Sequence, residues 1–177
     1  MASVLAALGE EEAEKWAKAM VANFAKRPQG NDRAQVKAIH EGECEIALIN
    51  NYYFGKLKFS EDPEQRKWAE SVRLVFPNQA EGDRGAHVNI SGGGIAKFSK
   101  NKEEAQKLLE FLTSEKAQKL YGDINFEYPA NLKIEPGDEL KSWGSFREDT
   151  LPIIKIAELA PVSYTHLRAH ETPDHLV

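Results

Sequence analysis

The sequence predicts an α/β fold, because helix-like and strand-like segments follow one another along the chain. Apolar residues recur every three or four positions over residues 10–26, which is the period of an amphipathic helix. A second helix-like segment begins at Asn31 or Asp32 and stops at Gly42, and the apolar run 45–49 after it is typical of a short buried strand. Helix, glycine turn and strand in succession is the order found in α/β domains.

The later segments continue this alternation. Pro63, directly after Asp62, occupies the position that proline favours in the first turn of a helix, and Ser114 is a candidate N-cap. Further helices are predicted from Asn51, from Asp62, over 101–111, over 114–121 and around 153–159, and further strands over 72–76 and 87–91.

Composition excludes several classes of protein. The chain has 177 residues, of which 41% are apolar and 29% charged, as in a globular rather than a disordered protein. Its formal charge of -5 is mild and interspersed, so there is no nucleic-acid-binding footprint. A single cysteine, Cys44, excludes an internal disulfide and any multi-cysteine metal site. No apolar stretch reaches the roughly 20 residues needed to span a bilayer.

Two consecutive tyrosines, Tyr52 and Tyr53, stand where the predicted strand ends and a helix begins. Adjacent side chains on a regular helix diverge by about 100°, so two of them can converge on one atom only at a turn or an irregular helix start. A helix N-terminus also favours negative charge, and phenolate oxygen is a hard ligand suited to a trivalent cation such as Fe³⁺. The alternative is structural: one tyrosine packs inward and the other is exposed.

The sequence gives no sign of an enzyme. Asp83, His87 and Ser91 contain the residue types of a catalytic triad, but they are spaced four apart along one predicted strand and cannot converge. No other nucleophile and base occupy a plausible arrangement, so we predict a non-catalytic protein.

Several separated segments, in order and in register, resemble one known family. The segments are residues 30–39, 42–45, 50–53, 76–79, 84–92, 108–111, 117–118, 125–129 and 143–144. Together they resemble the ferric-iron-binding solute-binding proteins of bacterial ABC transporters, and the resemblance extends from residue 1 to about residue 161.

The resemblance implies a two-lobed periplasmic-binding-protein fold of the transferrin-like type II class, here truncated. In that family the tandem tyrosines bind Fe³⁺, and the matching metal ligands are Tyr52 and Tyr53. Asn50 matches the asparagine that supports the site or its companion anion. Residues 1–82 are expected to form part of the C-terminal lobe with the tandem tyrosines. Residues 83–133 are expected to cross over and form part of the N-terminal lobe, and residues 134–161 to return to the C-terminal lobe.

By the same resemblance, the protein captures ferric iron, with a synergistic anion, and delivers it to an ABC permease of the inner membrane. We expect a monomer, periplasmic or anchored at the cell surface, with no nucleic-acid partner and no membrane insertion. Two alternatives stay open: a solute-binding protein of the same fold for another small anion or metal chelate, and a non-catalytic interaction module.

Two departures from the family accompany the resemblance. Members of the family are about twice this length, so we expect this chain to be the C-terminal half, without the export signal. Residues 162–177 lack apolar periodicity, and we interpret them as a non-native tail. His166, His170 and His175 lie in this tail, and we therefore do not assign them to a metal site.

Overall fold

The computed structural model describes residues 1–161, which are mainly helices joined by turns and extended segments. The chain divides into two compact units. Among the described residues, the first unit contains Met1–Ala25, Pro77–Val88 and residues 147–161. The second unit contains Lys26–Phe76 and Asn89–Phe146, and therefore includes the tandem tyrosines.

The helices fall close to where the sequence predicts them. In chain order they are α1 Ala2–Ala22, α2 Asp32–His40, α3 Asn51–Lys58, α4 Pro63–Glu70, α5 Lys102–Leu112, α6 Glu115–Leu120, a π-helical turn Tyr121–Asn125, and α7 Asp138–Ser142. Residues 153–161 are also helical. The short polar helix α7 and the π-helical turn are not predicted by apolar periodicity, because each is only five residues long.

The predicted helix starts are confirmed by side-chain caps in the second unit. The Asn31 side chain accepts a hydrogen bond from the backbone N–H of Ala34 at 3.2 Å. The Asp62 side chain accepts from the N–H of Glu64 at 2.9 Å, with Pro63 in the first turn. Each cap satisfies a backbone donor that the helix itself leaves without an acceptor.

A small apolar core joins α2, α3 and α4. Val36, Leu57 and Ala69, one from each helix, are buried against one another. Partly buried side chains surround them: Ile49, Phe54, Trp68 and Val72. This core fixes α3, and with it the tandem tyrosines, against its neighbouring helices.

The first unit has its own apolar cluster. Val4, Leu5 and Ala13 of α1 are buried, with Leu159 packed against them. The guanidinium of Arg84 donates hydrogen bonds to the Ser3 carbonyl at 2.8 Å and to the Asp149 carboxylate at 3.1 Å. These bonds join three separate pieces of chain within this unit.

The predicted strands do not form a sheet in residues 1–161. One isolated parallel bridge, between Ala86 and Glu148, is present there. Segments 45–49, 72–76 and 87–91 are without paired strands. The prediction that 45–49 is buried is wrong, since Ile46 is 83% and Leu48 71% exposed. Apolar β-favouring residues predict an extended backbone, but a strand also needs a neighbour, and the described residues provide none.

Within the described residues, no helix combines the length and the apolar character needed to cross a membrane.

Candidate metal centre

The tandem tyrosines lie at the start of α3, and their side chains come together. Asn50 is the N-cap residue with extended backbone angles, φ −74° and ψ 130°, and its carbonyl accepts a hydrogen bond from the Tyr53 N–H at 3.1 Å. The rings of Tyr52 and Tyr53 lie 4.2 Å apart, centroid to centroid, with their planes inclined by 32°. Both side chains are half-buried. The arrangement in which one tyrosine turns inward and the other outward is therefore not observed.

The two hydroxyl groups influence each other. The pKa of Tyr52 is raised to about 12, first by its hydrogen bond with the Tyr53 side chain and then by burial. Negative charge on Tyr53, Asp32 and Glu127 raises this pKa further. Tyr52 is therefore neutral at pH 7, and a cation that binds its oxygen must displace the hydroxyl proton. Metal binding at this residue should release that proton.

Asn50 is held in place by Asp32 in the first turn of α2. The Asp32 carboxylate accepts hydrogen bonds from the Asn50 backbone N–H at 2.8 Å and from its side-chain amide at 3.2 Å. The Asn50 side chain makes no capping bond to α3. Asn50, two positions before the first tyrosine, is thus fixed by a neighbouring helix.

Tyrosine oxygens are the metal-ligand candidates that this geometry supports. In residues 1–161, no group of three or more His, Cys, Asp or Glu side chains is placed to hold a metal ion. His166, His170 and His175 lie outside the described residues. A hard trivalent cation would be matched by the adjacent phenolate oxygens.

The sequence was also compared with known proteins. The family model described as bacterial extracellular solute-binding protein matches residues 5–148. The chain belongs to this family. It is 46% identical over 164 residues to iron uptake protein A1 of Synechocystis sp., covering 92% of this chain and 45% of that protein. The chain thus spans about half the length of the curated relatives it matches.

Solved structures confirm the predicted type II periplasmic-binding-protein fold of this solute-binding chain in partial form. A ferric binding protein from Campylobacter jejuni superposes with a TM-score of 0.88 at 40% identity, over 93% of this chain and 51% of that one. A Trichodesmium protein (IdiA, FutA), solved in complex with iron and citrate ligands, superposes with a TM-score of 0.85 at 43% identity. That match covers 93% of this chain and 51% of the other.

Two cationic side chains next to the tyrosines were not predicted. The Lys56 ammonium lies 5.1 Å from the Tyr52 ring centroid, and the Arg33 guanidinium carbon lies 5.6 Å from that of Tyr53. Lys56 could have been found from sequence, because a residue four positions after Tyr52 lies on the same helix face. Arg33 could not, because it reaches Tyr53 only through the packing of α2 against α3.

Proposed function

We propose that this solute-binding protein captures ferric ion through the phenolate oxygens of Tyr52 and Tyr53. The observation that supports this most strongly is the contact between the two rings, whose centroids lie 4.2 Å apart, with the Tyr53 side chain raising the pKa of Tyr52. Two tyrosine side chains in contact at one helix start can both approach one cation. The names of the relatives, iron uptake protein and ferric iron-binding protein, agree with this cargo.

Asn50 orients the tyrosines in this proposal. Its backbone and side chain are both held by Asp32, so the turn that carries the tyrosines begins from a fixed point. Two tyrosines do not complete the coordination of a ferric ion. A synergistic anion and groups outside this segment would supply the remaining ligands, and the Trichodesmium relative was solved with iron and citrate.

The rest of the assignment follows the relatives. We infer delivery of iron to an ABC permease of the inner membrane, a periplasmic location, and binding without catalysis. The lobe assignment also stays a proposal: residues 1–82 and 134–161 in the C-terminal lobe, and residues 83–133 crossing into the N-terminal lobe.

The experiment replaces each tyrosine by phenylalanine, which removes the ligand oxygen and keeps the ring. It is performed on the 177-residue chain and on a chimaera in which the chain replaces the matching part of iron uptake protein A1. Ferric binding is followed by the visible charge-transfer band of iron-bound phenolate. We expect Tyr52→Phe and Tyr53→Phe each to weaken affinity at least about tenfold, roughly 1.4 kcal/mol. The double variant should lose the band.

Tyr128→Phe is the matched control. Tyr128 is also partly buried, and its hydroxyl donates to the Leu140 carbonyl at 3.4 Å, so the substitution makes the same chemical change away from the pair. If Tyr128→Phe removes the colour and the double variant retains it, the assignment to Tyr52 and Tyr53 is wrong. Unchanged affinity in every variant would exclude a tyrosine site for iron.

A further inference from the structure

A short turn in the second unit presents an aromatic side chain to solvent. The Ala96 carbonyl accepts a hydrogen bond from the Ser99 N–H at 2.9 Å, so Lys97 and Phe98 are the two central residues of a turn. Phe98 is 86% exposed. The central positions of turns usually carry Gly, Pro, Asn, Asp or Ser, each for a backbone reason that does not apply to phenylalanine. The ring of Phe98 is therefore not needed to form the turn.

The same segment is basic, although the chain as a whole has a formal charge of -5. Residues 95–102 contain three lysines and no acidic residue, and the lysines are Lys97, Lys100 and Lys102. All three are exposed, and none of them forms an ion pair in the part of the chain that the structure describes. The Lys97 ammonium lies 5.4 Å from the Phe98 ring centroid, so a positive charge and an apolar ring are presented together.

The negative charge of the whole chain does not prevent this segment from contacting an anionic surface. Fixed charges are screened over about 8 Å at physiological ionic strength, so a surface at the turn is affected mainly by nearby residues. The next acidic residues along the chain are Glu103 and Glu104, in the first turn of α5, where the helix N-terminus attracts negative charge. Even with these two included, the lysines outnumber the carboxylates.

We propose that residues 95–102 rest on the surface of an anionic phospholipid bilayer. The lysines lie at the lipid phosphates, the Phe98 ring enters the headgroup region, and no helix enters the bilayer. This inference goes beyond the proposed ferric function and involves none of residues 50–53. Such a contact keeps the protein close to the membrane that holds the permease to which we infer that it delivers iron.

The exposure of Phe98 favours a lipid surface over a protein partner. A single ring at the tip of a turn, with lysines around it, offers no extended face for a shape-matched protein interface, which requires a well-packed apolar core. A fluid bilayer accepts a single apolar side chain without a preformed pocket, and its phosphates match lysines, which act as point charges.

The first test measures sedimentation of the protein with vesicles. The 177-residue chain and the chimaera with iron uptake protein A1 are each mixed with vesicles of phosphatidylcholine alone or of phosphatidylglycerol and phosphatidylcholine in equal parts. We expect binding to the mixed vesicles only, with an affinity that falls as the salt concentration rises. Each lysine should contribute roughly fivefold, so Lys97→Gln, Lys100→Gln and Lys102→Gln combined should weaken binding about a hundredfold. Phe98→Ser should weaken it about tenfold.

Matched controls make the same changes elsewhere in the second unit. Lys116→Gln, Lys119→Gln and Lys133→Gln combined remove three exposed positive charges, and Leu132→Ser removes an apolar side chain that is 92% exposed. Both controls should leave vesicle binding unchanged. All the substituted side chains are exposed, so urea unfolding of every variant should match that of the unsubstituted protein.

The second test follows the ring itself. Phe98→Trp places an indole at the tip of the turn, and its added emission should shift to the blue and be quenched when the mixed vesicles carry brominated acyl chains. Leu132→Trp should show neither change. This comparison decides between contact of the turn with lipid and attraction of the whole protein to the vesicles.

Several outcomes would overturn the proposal. Equal binding to phosphatidylcholine alone, or an equal loss in the matched controls, would indicate adsorption through other apolar surface. Displacement of the vesicles by soluble glycerol phosphate would indicate a site for free phosphate rather than a bilayer. Binding by the 177-residue chain but not by the chimaera would mean that the rest of the relative covers the turn. The ferric function is tested separately, by the tyrosine variants in the absence of vesicles.

Discussion

Asp32 connects the start of α2 to the start of α3, because a single carboxylate oxygen accepts both the backbone and the side-chain N–H of Asn50, at 2.8 and 3.2 Å. The two residues are 18 positions apart in sequence. Asn50 is in turn the N-cap residue of α3, whose first turn contains the tyrosines. The geometry of the candidate metal centre therefore depends on a residue that is not itself a ligand.

The first prediction concerns this connection. Asp32→Ala removes two hydrogen bonds to a charged group and should lower the free energy of unfolding by about 1 kcal/mol. The expected loss is small for such bonds because both are exposed to solvent. Ferric affinity should fall too, but less than in either tyrosine variant. Urea unfolding and ferric titration measure the two effects. Glu70→Ala, which removes an exposed carboxylate at the end of α4, should change neither.

The second prediction concerns the effect of Tyr53 on the pKa of Tyr52. The folded protein raises the pKa of Tyr52 to about 12, so folding favours its neutral form. The stabilisation is complete below the ordinary pKa of about 10 and is lost as the pH rises through about 12. Tyr53→Phe removes the first cause of the shift, and tyrosinate absorption should then show Tyr52 ionising closer to pH 10. Tyr128→Phe should leave the pKa of Tyr52 unchanged. If Tyr53→Phe also leaves it unchanged, the Tyr53 side chain is not the cause of the shift.

The third prediction concerns close packing behind the tyrosines. Gly55 of α3 is buried, and a Cβ atom at this position would overlap the ring of Phe126. That ring is itself stacked on Phe59, with centroids 5.4 Å apart. Overpacking costs about 1–3 kcal/mol, and the helix preference of alanine returns about 1 kcal/mol. A Cβ atom at Gly55 would lie well inside the contact distance of a ring atom of Phe126, so we expect a cost at the upper end of this range. Gly55→Ala should therefore lower the free energy of unfolding by up to about 2 kcal/mol, as measured by urea unfolding.

Gly92→Ala provides the comparison for Gly55→Ala. A Cβ atom at Gly92 meets nothing within 4 Å, so the substitution removes only the extra freedom of glycine in the unfolded chain. It should leave stability unchanged or raise it slightly. An equal loss in the two variants would show that the contact with Phe126 is not the cause.

The sequence predicts those features that depend on neighbours along the chain. The cap at Ser114 and the helix start at Asp62 are confirmed, and of the two candidates Asn31 and Asp32 it is Asn31 that caps α2. Such features can be predicted because a cap bonds a backbone N–H only two or three residues away. The approach of Arg33 to Tyr53 depends on packing between two helices, which no local pattern encodes.

The strand predictions are wrong for a related reason. Residues 45–49 are apolar and β-favouring, yet their pairing and burial depend on chain that is not adjacent in sequence. From the sequence, the tyrosine pair is predicted to be a metal site only because a family resemblance adds to the local pattern, which by itself leaves the structural alternative open.

The last prediction concerns the exposed apolar segment before the tyrosines. Leu48 is 71% exposed, whereas Leu57 in the α2–α3–α4 core is 0% exposed. Replacing each by lysine should therefore change stability little at position 48 and strongly at position 57. Leu48→Lys in the 177-residue chain should reduce binding of a hydrophobic dye and aggregation, with stability changed by less than about 0.5 kcal/mol. Leu57→Lys places an unpaired charge in the core and should cost more than about 3 kcal/mol.

The chimaera with iron uptake protein A1 tests whether the exposed segment 45–49 packs against the part of that protein that this chain does not match. We expect the part of that relative that this chain does not match to pair with residues 45–49, because an apolar extended segment is stable only when its backbone and side chains are covered. Leu48→Lys should then be harmless in the chain alone and destabilising in the chimaera. If it is as damaging as Leu57→Lys in the chain alone, residues 45–49 are already packed in solution. If it is harmless in both, the segment has no partner in the relative, and its apolar character needs another explanation.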